Sequence, residues 1–165
     1  MLMMSRFLIV GLLYSLPVYS AEPPSFTAPP FLSRPTISRA AFGNTYSYRG
    51  DATEPNAALQ ITVSEFPPGL PHTDTTVCIE AFLVELRRAD AKLFIEPNTF
   101  TLRSHDLTFD AKRWTQTTDH EMITGVVACA IRTDRFVAVN FRDGVRTAPR
   151  SFTAIRTALS ISTLP

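Results

Sequence analysis

The sequence predicts an α+β domain, a largely antiparallel sheet of about five to six strands with amphipathic helices packed on it in an α/β/α sandwich. Three observations point there. Strand-like segments follow one another through the middle of the chain while helical segments come singly. The segment 122–131 is apolar almost throughout, as expected of a strand covered on both faces. An amphipathic helix precedes this run of strands and another closes it. Of the 165 residues, 45% are hydrophobic and 19% charged, which excludes a disordered, collagen-like or multi-span membrane chain and suits one domain.

Residues 1–20 carry one charge, Arg6, then the apolar run Phe7 to Leu16, the breaker Pro17 and the small or neutral Val18 and Ser20. This is the pattern of a secretory signal peptide cleaved between Ser20 and Ala21. An apolar run of about ten residues is half of what a bilayer span requires. The expectation is therefore a periplasmic or secreted protein with no stable membrane span after cleavage. Removing the leader leaves 15 basic against 15 acidic residues. That balance lacks the basic excess of a general nucleic-acid binder.

From Ala21 to Ala40 there are five prolines and no glycine, a composition that favours extended polyproline II. It reads as a leader, either a tether or, given Phe26, Phe31 and Leu32, a strip lying along the domain or a partner. The single domain is then expected over 41–165. Thr45 to Tyr48 reads as a strand ending at the Arg49-Gly50-Asp51 turn, and Ala58 to Ser64 alternates with Leu59, Ile61 and Val63 on one face. Asp74 suits the N-cap of a helix over 75–89 with the stripe Ile79, Phe82, Leu83 and Leu86, closed by Arg87 and Arg88. Short strands are expected at 100–102, 107–109 and 113–117, longer ones at 122–131 and 136–141. A last helix over 148–160 carries Phe152, Ile155 and Leu159 on its inner face.

Cys78 and Cys129 are the only cysteines and lack CxxC or Cys/His spacing. In an oxidising compartment such a pair most simply forms one disulfide, here a staple between the first helix and the central strand. A buried pair of free thiols is the alternative. Each histidine has acidic company: His72 with Asp74, His105 with Asp106, His120 between Asp119 and Glu121. Turn and cap preferences explain these acids, the chain has no HExxH, and no metal site is expected. Without GxSxG, GxGxxG or GxxxxGK, no catalytic residue and no cofactor is expected either. Arginine outnumbers lysine 14 to two. Arg132, Arg135, Arg142, Arg146 and Arg150 cluster late in the chain, as a positive rim for an anion or an acidic partner or as a solvated face.

The order of elements, with Tyr46-Ser47-Tyr48, then Leu59-Gln60-Ile61-Thr62-Val63, and the ending Phe152-Thr153-Ala154-Ile155 to Ile161, resembles the PsbP-like α/β/α fold over 41–163. That superfamily includes the extrinsic photosystem II protein and small periplasmic proteins of the DcrB type. The resemblance implies a binding or assembly-helper module. Its members share no catalytic residues, so none is carried over. The expected function is thus a non-enzymatic accessory whose partner is another envelope protein or a cell-wall component. The rivals are a secreted inhibitor acting through the loop Phe66 to Thr73, and a small hydrolase in which the histidines converge with acids.

Overall fold

The computed structural model describes residues 24–66, 74–89, 92–118 and 121–164. The strands are β1 (Thr36–Ala40), β2 (Gly43–Arg49), β3 (Ala58–Glu65), β4 (Phe94–Arg103), β5 (Thr108–Thr117), β6 (Met122–Ile131) and β7 (Arg135–Gly144), with helices α1 (Thr75–Ala89) and α2 (Ala148–Ser160). All strands join one antiparallel sheet in the order β1-β2-β3-β7-β6-β5-β4. The expected α+β sandwich is there, with seven strands where five to six were expected.

Alternation along the strands sorts the core into two layers. Leu59, Ile61 and Val63 of β3 meet Val137, Val139 and Phe141 of β7 on the face that α2 covers with Ile155 and Leu159. On the other face, Ile79 and Leu83 of α1 pack on Trp114, Val127, Cys129 and Ala138. Strand β6 is thus enclosed from both sides, which is why its sequence is apolar in both parities. Asp74 caps α1, its carboxylate accepting the Val77 N–H at 2.8 Å, and Glu85 meets Arg88 at 2.6 Å. The Cys78–Cys129 disulfide joins α1 to β6 with a Cα separation of 6.2 Å, within the range such a bond requires.

Two expectations about strands change. The segments 107–109 and 113–117 are one strand, β5, because the charged residues that interrupt the apolar alternation have partners on α1. Asp110 accepts the Thr75 hydroxyl at 2.5 Å and Lys112 reaches Glu80 at 3.3 Å. Strand β4 begins at Phe94 rather than Phe100, with a register shift between Ile95 and Thr99. Pro97 lies in that shift, and only at a sheet edge can a residue without an N–H be carried this way.

The Pro-rich segment is not a tether over its described part. β1 pairs with β2 along its whole length, so the sheet starts at Thr36 and not after 41. Upstream, Leu32 is buried, Phe26 meets Tyr48 edge-on with ring centroids 5.4 Å apart, and Ser25 bridges to Thr163. The apolar side chains between the prolines drive this docking, since they cover the α2 face of β2 and β3 beyond the reach of the helix. Leu32→Ala is therefore expected to cost about 2 kcal/mol in urea unfolding. A free tether would register no change.

The turn expected at Arg49-Gly50-Asp51 lies just beyond it: Arg49 ends β2, Gly50 bridges to Leu32, and the chain turns over 52–56. A Cβ at Gly50 would overlap the Glu54 carbonyl. The Asp51 carboxylate accepts the Thr53 hydroxyl at 2.6 Å and the Thr53 N–H at 2.7 Å, bonds that hold it below the usual carboxylate range.

Candidate functional site

Strand register brings together residues that lie far apart in sequence. One row runs directly across the sheet, from Trp114 on β5 to Gly125 on β6, Arg142 on β7, Ala58 on β3 and Arg49 on β2. Two residues along the strands, a second row places Val127, Asn140, Gln60 and Ser47 side by side. By the period of two, both rows project from the face that carries α1. Helix α1 lies over β6 and β5 and leaves Gln60 and Arg49 exposed and Ser47 half-buried. A cleft of about 680 Å³ results, walled by Leu86 of α1 and by Ile123 and closed at its end by the 55–57 turn.

The floor of this cleft has unused polar capacity. Trp114 is fully buried, and its indole N–H has no hydrogen-bond partner among the described residues. The indole lies across Gly125, where any Cβ would overlap the ring and would sit 2.6 Å from the Phe141 carbonyl oxygen. The Asn140 amide oxygen is likewise buried without a partner among them. At the rim, Arg49 and Arg142 form no ion pair among the described residues, and no described carboxylate or imidazole lines the cleft. The cleft thus combines two unneutralised guanidinium groups, an orphan donor and an orphan acceptor.

The five arginines expected as a rim do not form one. Arg135 opens β7 and Arg142 stands seven residues further on, a distance of roughly 24 Å at about 3.4 Å per residue. An extended strand carries them to opposite ends of the sheet. Arg132 is paired with Asp106 and Arg150 with the buried Glu54. Arg135 holds Asp134 at 2.7 Å, a hydrogen bond that keeps the Asp134 carboxyl below its usual range. Arg146 is exposed, and of the five only Arg142 lines the cleft. Arg49, Trp114 and Asn140 were not singled out from the sequence as site residues, since no local motif links them.

Of the histidines, His105 is exposed on the turn after β4, while His72 and His120 lie outside the described residues, as does 67–73 of the loop weighed for an inhibitor. Among the described residues, no three His, Cys, Asp or Glu side chains are grouped so as to hold a metal ion. Among the same residues, no helix is long and apolar enough to cross a membrane. The buried Asp143 accepts the Ser151 hydroxyl at 2.5 Å and the Gly144 N–H at 2.7 Å, fastening α2 to the end of β7. A smaller hollow of about 370 Å³ under α2 is mostly apolar. Its one charged residue, Arg113, is engaged with the Phe100 and Phe152 rings and lies 3.8 Å from Glu96. Compared with that hollow, the polar cleft is the stronger site.

Comparison with solved structures shows the fold to be similar to that of cyanobacterial PsbP (CyanoP) from Synechocystis sp. PCC 6803, known from a solution structure. The TM-score is 0.60 at 11% sequence identity, over 86% of this chain and 86% of that one. The PsbP-like architecture expected from the order of elements is therefore present, and at this identity the likeness is one of fold. No family model and no curated protein matches the chain.

Proposed function

We propose that this chain is an exported, non-enzymatic binding protein of the small periplasmic kind, an accessory to another envelope protein or a cell-wall component, and that it binds through the polar cleft beside α1. The observation that carries this reading is the row Trp114, Gly125, Arg142, Ala58, Arg49, with Asn140 in the row beside it, which sets unpaired cations next to buried polar atoms that have no partner among the described residues. Buried polar groups are normally satisfied, so two orphans in one floor favour an external partner. Lining groups that can hold but not relay a proton near neutral pH favour binding over turnover. Export rests on the pattern of residues 1–20 and fits a disulfide in the domain, a bond that persists in oxidising compartments.

The test compares immobilised protein 21–165 with its Arg49→Gln/Arg142→Gln form in an envelope extract. A component held by the first and reduced at least tenfold on the second is the expected result. Arg146→Gln should retain it fully. Retention that ignores both cleft arginines would remove the cleft from the function.

A further inference from the structure

The row across the cleft alternates large and small residues. Arg142 and Arg49 stand on β7 and β2 with only Ala58 of β3 between them, two strand spacings or about 10 Å from Cα to Cα. Two guanidinium groups flanking so small a residue leave room for one carboxylate, which both can reach as charged donors. A bare anion would leave the rest of the cleft unexplained. The buried Asn140 oxygen needs a donor and the buried Trp114 N–H an acceptor. Leu86 and Ile123 offer an apolar wall, and about 680 Å³ is the scale of an organic ligand. A carboxylate, an amide N–H, a carbonyl oxygen and an apolar side chain in close succession describe the last residues of a peptide.

We infer that the cleft binds the free C-terminal end of a peptide. The terminal carboxylate lies between Arg49 and Arg142, the adjoining amide groups engage Asn140 and Trp114, and a terminal side chain rests on Leu86 and Ile123. This assignment rests on the cleft being the binding surface proposed above, and it adds the chemistry of the ligand.

Trp114 is the only tryptophan in the chain, so its fluorescence reports on the cleft floor. The protein 21–165 is titrated with trialanine and with trialanine amide, with calorimetry as a second readout. Saturable binding of the free acid, at least tenfold weaker binding of the amide, and a tenfold loss in each of Arg49→Gln and Arg142→Gln are expected. Arg146→Gln should bind as the unaltered protein does, and the melting temperature of each variant checks its folding. Equal binding of acid and amide, inorganic phosphate binding as tightly as the peptide, or no binding of either peptide overturns the assignment. If extract retention still depends on Arg49 and Arg142 in that event, the binding function stands and only the peptide falls. If that dependence is lost too, the cleft itself is the wrong surface.

Discussion

Replacing Cys78 and Cys129 together by alanine is expected to lower the unfolding free energy by about 4 kcal/mol and Tm by roughly 15 °C. The bond joins residues 51 apart in sequence, and closing a loop of that length removes a large share of the freedom of the unfolded chain. Its location adds a second reason. Helix α1 reaches the sheet mainly through Ile79, Leu83 and the residues around them, and the staple sits within the first turns of that contact. Thermal melts of the double variant, and of the unaltered protein with and without reductant, check this. A shift below about 3 °C would show that the layer of α1 holds without its staple. Loosening α1 also removes one wall of the cleft, so the double variant should lose cleft binding before it loses its sheet.

Trp114→Ala is the second large effect, with an expected loss of about 3–5 kcal/mol in denaturant unfolding. The indole fills the space between α1 and the sheet that Gly125 leaves open, so its removal opens a cavity in that layer. Trp114→Phe is the informative companion. It keeps most of the packing and removes an N–H that bonds to nothing among the described residues, so it should cost no more than about 1.5 kcal/mol. A phenylalanine variant as unstable as the alanine one would mean that the N–H has a structural partner, and would count against its service to a ligand.

The site was less legible in the sequence than the fold, and particular residues show why. The two helices and strand β6 could be bounded to the residue, because stripes such as Ile79, Phe82, Leu83 and Leu86 and the continuous run from Met122 to Ile131 are local signals. Strand β1 could not, since all five of its side chains are exposed and only its backbone commits it to the sheet. Asp110 and Lys112 hid the middle of β5 because their partners stand on another element. Arginine density late in the chain suggested a rim, yet Arg132 and Arg150 are spent on acids that the fold brings to them, and Arg135 on its sequence neighbour Asp134.

By itself the sequence determined the class of fold, the alternation of faces along β3 and β7, the extent of α1 and α2, and the pairing available to two lone cysteines. These follow from periodicity and counting, which depend on neighbours a few residues away. The tertiary structure alone decided that the Pro-rich strip docks and that Arg49, Ala58, Arg142, Gly125 and Trp114 form one row. Both depend on strand order and register across the sheet. Register is set by how whole faces bury against one another, and a slip of one residue would have turned every member of that row to the opposite side.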